Sequence, residues 1–168
     1  ARLLEKQSFD SFSLDFYAGD DKHIIKQNFD ELLSFASNFE TDKRSFLLYG
    51  PTGLGKTHLS TAVAKSLLDR GYDVIYETAQ NVFFDFENDR FRDRFTDEPP
   101  VSTKYLECDL LILDDLGTEI ASQFTLSCLY NIVNTRINCS KPVIISTNLT
   151  ETELEAKYTQ RITSRIIG

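Results

Sequence analysis

The residues of this chain with the clearest chemical meaning form a glycine-rich loop between an apolar segment and a helix-like segment. The loop and the residue that follows it are Gly50, Pro51, Thr52, Gly53, Leu54, Gly55, Lys56, Thr57 and His58. Glycines at this spacing let backbone N–H groups turn inward around phosphates, while the lysine reaches the β and γ oxygens and the threonine hydroxyl binds Mg²⁺. The positive end of the following helix favours the same anion. The sequence therefore predicts a nucleoside triphosphate site at residues 50–58, with Thr57 as a metal ligand.

Two carboxylates that follow a long apolar run are the second candidate for chemistry. Residues 110–113 are all aliphatic, and Asp114 and Asp115 come directly after them. Such a run suits a central parallel strand that is buried on both faces, and its carboxyl end lies at the edge where open α/β sheets bind ligands. We expect Asp114 to hold Mg²⁺ through water and Asp115 to act as the general base that polarises the attacking water. Without the glycine-rich loop, the same acids would indicate only a solvated turn.

Polar residues at two later points of the chain complete the candidate site. Asn148 follows a predicted strand and is placed to hydrogen-bond the γ-phosphate or the water. Arg161 and Arg165 are four residues apart and therefore share one face of a helix. An arginine that reaches a neighbouring subunit's nucleotide stabilises charge in the transition state. Taken alone, Asn148 is typical of a turn and the arginines of a solvated basic face, so the order of the motifs carries this interpretation.

Apolar periodicity predicts the elements that position these residues. Strands are predicted at residues 46–49, 73–77, 109–114 and 141–146, and helices at residues 22–38, 56–70, 79–90, 122–138 and 150–157. Gly71 is expected to end the second helix and Thr150 to cap the last one. Strands that alternate with helices give an α/β fold, with a parallel β-sheet flanked by helices. The 168 residues fit one domain, with a lead-in segment and helix at residues 1–42 and a phosphate-loop core at residues 43–168.

The composition is that of an ordinary globular domain and excludes several classes of protein. The chain is 41% hydrophobic and 26% charged, and its net charge of -8 argues against coating nucleic acid through its overall field. Its three cysteines show no close pairing, so neither a disulfide framework nor a zinc site is supported. No stretch has the length and apolarity of a membrane span or of a signal peptide. We therefore expect a cytoplasmic protein with no membrane partner.

Three further features keep two interpretations each. Aromatic and charged residues interleave at 83–86 and 91–95, a composition that favours core packing beside a charged loop but is also able to stack the bases of single-stranded DNA. Arg136 is expected to be an exposed cation near a helix C-terminus, with contact to a neighbouring subunit as the alternative. Glu119 is either a solvated loop carboxylate or a link between the nucleotide and a partner.

Taken in their order along the chain, these motifs resemble those of the AAA+ ATPases of the bacterial replicative-helicase loader group. Within that group the motifs look like those of DnaC- and DnaI-type loaders, and they are also similar to those of IstB-type transposition ATPases. The similarity covers most of the chain from about residue 9 onward. The segments that carry it are residues 50–57, 110–117, 146–148 and 158–168.

The resemblance implies a P-loop AAA+ core and a role for each motif. Asn148 corresponds to sensor 1, and Arg165 corresponds to the arginine finger, with Arg161 as the second choice. ATP and Mg²⁺ are the implied ligands, and members of the group assemble side by side and hydrolyse ATP between subunits. They deliver the replicative DNA helicase onto single-stranded DNA, so the implied partners are that helicase, further copies of the chain and single-stranded DNA.

Two departures from the family's pattern change what we expect of this chain. Asp115 stands where AAA+ proteins commonly have a glutamate, and its shorter side chain predicts slow hydrolysis. The sequence also contains no methionine and stops soon after Arg165. We therefore expect a fragment of a longer protein, without the C-terminal helical lid that would carry a sensor-2 arginine.

Three alternatives to a helicase loader follow from the same motifs. A small-metabolite kinase would need an acceptor pocket and an arginine-rich lid, and residues 89–98 are too mixed in charge to form one. A module that binds the nucleotide without turnover is consistent with Asp115 and a missing lid. A transposition helper shares the whole ATPase core, so residues inside that core do not separate it from a loader.

Overall fold

Four parallel strands form one sheet, and helices pack against both of its faces. The computed structural model describes residues 20–50, 55–92, 97–118 and 122–158. In chain order the elements are α1 (Asp20–Ser37), β1 (Phe46–Leu48), α2 (Lys56–Asp69), β2 (Val74–Thr78), α3 (Ala79–Arg90), α4 (Thr103–Glu107), β3 (Leu110–Leu116), α5 (Gln123–Asn138), β4 (Val143–Thr147) and α6 (residues 151–158). The α/β architecture is as predicted, and the predicted boundaries differ from these by one or two residues at most ends.

The strands lie in the order β1-β4-β3-β2, so β4 is inserted between β1 and β3. Leu48 of β1 pairs with Ser146 of β4, and Thr78 of β2 pairs with Asp114 of β3. All of these pairs are parallel. The carboxyl ends of the strands therefore meet at a single edge of the sheet, which is where an open α/β sheet binds its ligands.

Side chains that alternate along the central strands supply a hydrophobic cluster on each face of the sheet. Leu110 and Ile112 pack with residues of α1 and α2, whereas Leu111 and Leu113 pack with residues of α3, α4 and α5. Because β3 is buried on both faces, it carries the unbroken apolar run that is typical of a central parallel strand. No helix in the described ranges combines the length and apolarity that crossing a membrane requires.

Gly71 ends α2 as predicted, through its positive φ of 89°. The N–H of Gly71 donates to the Leu68 carbonyl at 3.0 Å, and the N–H of Tyr72 donates to the Leu67 carbonyl at 3.0 Å. These two hydrogen bonds satisfy carbonyl groups that the end of a helix leaves without donors, which is the usual glycine stop. The chain is thus turned directly into β2.

Thr150 caps α6, also as predicted. Its hydroxyl oxygen accepts a hydrogen bond from the N–H of Glu153 at 3.2 Å and donates to the Glu153 carboxylate at 3.1 Å. The carboxylate therefore supports the cap through the hydroxyl. This cap fixes the direction in which α6 leaves the edge of the sheet.

The expectation that Arg136 is exposed, or contacts a neighbouring subunit, was wrong. The side chain is fully buried, and its guanidinium donates to the carbonyl oxygens of Tyr105 at 3.0 Å, Asp109 at 3.3 Å and Pro142 at 2.9 Å. A fourth hydrogen bond reaches Cys108 Sγ at 3.4 Å. Burial lowers the pKa of Arg136, because a charged group is less stable away from water. Arg136 continues the buried stripe of α5 at helical spacing, so the sequence did contain a signal for its burial.

Candidate nucleotide site

The strand order brings three of the predicted motifs to one edge of the sheet. The glycine-rich loop follows β1, Asp114 and Asp115 lie near the end of β3, and Asn148 comes directly after β4. Since β4 lies between β1 and β3, Asn148 leaves the sheet between the loop and the two acids. The arrangement needs no long side chain to connect the motifs, because the sheet itself places them side by side.

Lys56 is the first residue of α2 and reaches back across the loop. Its Nζ donates a hydrogen bond to the Gly50 carbonyl at 2.7 Å. Gly50 has φ 118° and Gly55 has φ 78°, conformations that glycine adopts without the strain imposed by a side chain. Burial lowers the pKa of Lys56, and the nearby charges of Asp114 and Asp115 partly oppose that shift. The ammonium group is therefore held between the loop and the two acids.

The rest of the predicted loop divides between described and undescribed residues. Thr57 is exposed and His58 is half-buried, both in the first turn of α2. The described N-terminal end of α2 presents backbone N–H groups and the positive end of the helix dipole to the edge of the sheet. The remaining predicted loop residues, which lie outside the described ranges, are Pro51, Thr52, Gly53 and Leu54.

Asp114 is fixed by Ser146, which belongs to one of the motif segments but for which the sequence predicts no role of its own. The Ser146 hydroxyl donates to Asp114 Oδ1 at 2.5 Å, a short bond of the kind that forms to a charged acceptor. Ser146 is buried in β4, while Asp114 is half-buried in the neighbouring strand. Only the pairing of β3 with β4 brings the two together. The sequence offered one signal, a serine at the polar end of a strand that begins with three aliphatic residues.

Asp115 differs from Asp114 in both backbone and exposure. Its φ is 54°, which is unusual for a residue other than glycine, and its side chain is exposed. The register between β3 and β4 shifts between Leu113 and Leu116, so the strand bulges at the two acids. Bulges of this kind redirect side chains beside functional sites. Asp115 therefore leaves the pleat of the sheet, whereas Asp114 stays within it.

The turn after β4 connects all three motifs through its backbone. Leu149 accepts a hydrogen bond from the Gly50 N–H at 3.2 Å. The Thr147 hydroxyl donates to the Leu116 carbonyl at 2.5 Å and accepts from the Leu149 N–H at 3.1 Å. Asn148 itself is exposed. These hydrogen bonds hold the turn that carries Asn148 in a fixed position relative to both the glycine-rich loop and the two acids.

Gly117 packs so closely against Leu149 that it leaves no room for a side chain. With φ 108°, a Cβ built on Gly117 would lie 2.6 Å from Leu149 Cδ1, and the Gly117 carbonyl accepts a hydrogen bond from Lys157 of α6 at 2.7 Å. We expect Gly117→Ala to lower the free energy of unfolding by about 2–3 kcal/mol, through backbone strain and overpacking together. Urea unfolding measures this loss.

Gly71→Ala is the matched control for that substitution. Gly71 has a similar positive φ of 89° but no atom within 4 Å of an added Cβ, so alanine there costs only the strain of about 1 kcal/mol. Equal losses for the two variants would show that contact with Leu149 adds nothing. Adding Leu149→Ala should recover part of the Gly117→Ala loss, since it removes the clashing atoms.

Several predicted residues lie outside the described part of the chain. These are Glu119, Arg161 and Arg165. The aromatic residues in and just after α3 divide between core and surface: Phe83 is buried, whereas Phe84 and Phe91 are 60% and 77% exposed. Within the described ranges, His, Cys, Asp and Glu side chains form no group of three or more that could hold a metal ion. Thr57 and Asp114 are the two predicted metal ligands there.

The fold of this chain and the positions of its motifs at the edge of the sheet are those of the P-loop ATPases of the AAA+ class. The sequence model of a family described as "IstB-like ATP binding protein" matches residues 1–166. The chain therefore belongs to the IstB-like ATP-binding protein family, which confirms the resemblance seen in its motifs.

Solved structures of replication proteins share this fold. A crystal structure of the DnaC helicase loader matches with a TM-score of 0.82 and 21% identity, over 99% of this chain and 95% of that chain. AMPPCP-bound DnaA from Aquifex aeolicus matches with a TM-score of 0.78 and 23% identity, over 97% of this chain and 48% of that chain. At these identities the likeness concerns the fold alone.

One curated relative has a higher sequence identity to this chain than either of these two structures. The replicative helicase loader DnaC of Escherichia coli strain K12 is 27% identical over 132 residues, which are 79% of this chain and 54% of that protein. This chain thus spans about half the length of that relative.

Proposed function

We propose that this chain binds Mg²⁺-ATP at the carboxyl edge of its sheet and hydrolyses it slowly between neighbouring copies, as the ATPase core of a replicative-helicase loader. The observation that carries the proposal is the insertion of β4 between β1 and β3, which sets Asn148 between Lys56 and the two acids. Membership of an ATP-binding family supports ATP as the nucleotide. A role in replication would place the chain in the cytoplasm.

Each residue of the edge has a proposed role in binding. The loop residues 50–57 cradle the phosphates, and Lys56 exchanges its hydrogen bond with Gly50 for the β and γ oxygens. Thr57 and Asp114 hold Mg²⁺, Asp114 through water. Because Mg²⁺ prefers six oxygen ligands, the phosphates and water supply the others. When bound, the ion neutralises charge that develops on the phosphates.

The residues proposed for hydrolysis come from two copies of the chain. Asp115 polarises the attacking water and Asn148 orients it, and both are exposed at the edge where a neighbour can dock. Arg165 of the neighbouring copy, with Arg161 as the second choice, stabilises the transition state. The short side chain of Asp115 and its left-handed backbone give it little reach, so slow turnover is expected.

The replicative DNA helicase is the proposed partner, and single-stranded DNA is a further proposed ligand. The similarity to DnaC at 27% identity supports the first. The second is supported by the shared fold of a DnaA that was solved with AMPPCP and single-stranded DNA, which matches with a TM-score of 0.73. The exposed Phe84 and Phe91 are aromatic surfaces of the kind on which bases stack.

A transposition helper is the second candidate, because the family itself is described by its IstB-like members. The two functions share the ATPase core and differ in the protein they serve. Binding of the chain, with Mg²⁺-ATP, to a purified replicative helicase and to a purified transposase distinguishes them. Selective binding to the helicase supports the loader, and selective binding to the transposase overturns it.

ATP turnover as a function of protein concentration tests hydrolysis between copies. We expect turnover per chain to rise with concentration and with added single-stranded DNA, and to disappear in Arg165→Ala at every concentration. Arg161→Ala is the matched control and should retain most of the activity. Turnover that is independent of concentration and indifferent to both arginines would instead indicate a complete site within one copy.

A further inference from the structure

The Tyr76 hydroxyl is a buried polar group that makes no hydrogen bond of good geometry with any described residue, although the Asp114 carboxylate and the Thr61 hydroxyl lie close to it. Leaving such a group unpaired costs about 1–3 kcal/mol, and nearly all buried polar groups in native proteins have a partner. Phenylalanine would place the same ring at this position without that cost, and the chain uses it 13 times elsewhere. The hydroxyl therefore calls for an explanation beyond packing.

The position of Tyr76 in β2 places its side chain on the same face of the sheet as Asp114 and further from the carboxyl edge. Tyr76 pairs with Ile112, and Thr78 pairs with Asp114 two residues further along. Since alternate residues of a strand share a face, Tyr76 and Asp114 lie on the same face of the sheet. Tyr76 packs there against the cluster formed by α1 and α2.

Two polar groups of the candidate site lie close to the hydroxyl. Burial raises the pKa of Tyr76, the negative charge of Asp114 raises it further, and a contact with the Thr61 hydroxyl lowers it; a contact with the Asp114 carboxylate also raises it. Thr61 is four residues after Thr57 on α2, so the two share a helix face, with Thr61 one turn deeper. Tyr76 is therefore situated between the elements that carry the two proposed metal ligands.

Asp114 needs more than one hydrogen bond to hold its carboxylate in a single orientation. Ser146 occupies only Oδ1, at 2.5 Å. Groups that hydrogen-bond to a metal-ligating carboxylate fix its direction, and their loss typically weakens metal affinity by about 10–100-fold. The described residues near Asp114 include one buried hydroxyl that makes no hydrogen bond of good geometry, that of Tyr76.

We infer that Tyr76 is a positioning residue for the Mg²⁺ of the nucleotide site, donating a hydrogen bond to the Asp114 carboxylate when Mg²⁺-ATP is bound. This inference rests on the proposed function, because it takes Asp114 as the residue that holds the ion. In this structure the hydroxyl lies near the Asp114 carboxylate without forming a hydrogen bond of good geometry. A carboxylate that holds Mg²⁺ at this site would be positioned by that hydrogen bond, in addition to the one from Ser146.

Tyr76→Phe tests this inference because it removes only the hydroxyl. Binding of the fluorescent analogue mant-ATP is measured on the full chain, first in EDTA and then as Mg²⁺ is titrated in. We expect the Mg²⁺ concentration at half-maximal effect to rise by about 10-fold, while the affinity in EDTA stays unchanged. Urea unfolding without ligand should show Tyr76→Phe to be as stable as the wild type or more stable, since it loses an unpaired buried group.

Tyr105→Phe is the matched control. Tyr105 is also buried, but its hydroxyl donates to Asp85, which belongs to α3. This variant should lose stability in urea and keep the wild-type response to Mg²⁺. The opposite behaviour of the two variants separates a role at the metal from a role in packing.

Each other result has a definite meaning. If the wild type binds mant-ATP with a Mg²⁺ response and Tyr76→Phe responds identically, the inference is overturned and the proposed function stands. If Tyr76→Phe loses stability without ligand and binds more weakly in EDTA as well, the hydroxyl is structural and the inference is overturned. If the wild type binds no mant-ATP at any Mg²⁺ concentration, the proposed function and the inference fall together.

Discussion

Lys56→Ala should lower the affinity for Mg²⁺-ATP by about 100-fold or more, which corresponds to the loss of about 3 kcal/mol of charge-assisted hydrogen bonding. Lys56 is the first residue of α2, and the Nζ of its ammonium group lies 2.7 Å from the Gly50 carbonyl at the start of the loop. Its partial burial between the loop and two carboxylates limits the screening of its charge by water. A titration with mant-ATP at saturating Mg²⁺ measures the change.

Lys65→Ala provides the control from the same helix. Lys65 is partly exposed and lies nine residues further along α2, more than two turns from the loop. Its removal should leave the affinity within about twofold, because a charge at that distance that is accessible to water interacts weakly with the phosphates. Urea unfolding of both variants verifies that they are folded. Wild-type affinity in a folded Lys56→Ala chain would contradict the placing of the phosphates in this loop.

Arg136→Ala should cause the largest loss of stability of any substitution considered for this chain. Four hydrogen bonds from Arg136 tie the end of α4 to the segments that enter β3 and β4. Truncation leaves buried carbonyl groups without donors and opens a cavity, which together cost about 3–5 kcal/mol. With a urea dependence of about 2 kcal/mol per molar, the unfolding midpoint should fall by about 2 M.

Two further variants keep this prediction decisive. Arg136→Lys retains a charge and most of the volume but offers a single ammonium group to several acceptors, so it should lose less stability than Arg136→Ala. It should also yield folded protein if the alanine variant does not fold. Arg90→Ala removes an exposed arginine that lies 5.5 Å from the Phe124 ring, worth at most about 1 kcal/mol. If Arg136→Ala and Arg90→Ala unfold at the same urea concentration, the buried guanidinium does not stabilise the sheet.

Local signals in the sequence were enough to predict most elements of the fold. The aliphatic run before Asp114 predicts a buried strand because only a central parallel strand hides both of its faces. Gly71 and Thr150 predict the helix boundaries because each supplies a hydrogen bond or a backbone angle that a helix end requires. These signals depend on residues within a few positions of one another, so a single sequence contains them.

The features that the sequence did not predict depend on contacts between distant segments. Ser146 and Asp114 meet only because β4 inserts beside β3, and no local pattern states the order of strands in a sheet. Tyr76 lies on the same face of the sheet as Asp114 because β2 pairs with β3. The burial of Arg136 was missed because arginine is rarely fully buried, and that general expectation outweighed the helical spacing that placed it on the buried stripe.

The candidate site likewise combines features that local sequence signals predict with features that depend on contacts between distant segments. The loop residues and the two acids could be chosen from their types and spacing, and the structure brings Lys56, Asp114, Asp115 and Asn148 to one edge. The left-handed backbone of Asp115 could not be predicted, because it results from a change of register between two strands. The roles of these residues, and the division of the chain at residue 42 into a lead-in segment and a core, stay predictions.

Mixing two inactive variants measures directly whether one active site is built by two copies of this chain. Asp115→Asn lacks the proposed base but keeps Arg165, whereas Arg165→Ala lacks the proposed finger but keeps Asp115. Each alone should hydrolyse no ATP, and an equimolar mixture should recover about one quarter of the wild-type rate, since random pairing restores about that share of interfaces. A mixture that stays inactive, although both variants bind Mg²⁺-ATP and associate as the wild type does, would contradict hydrolysis between copies.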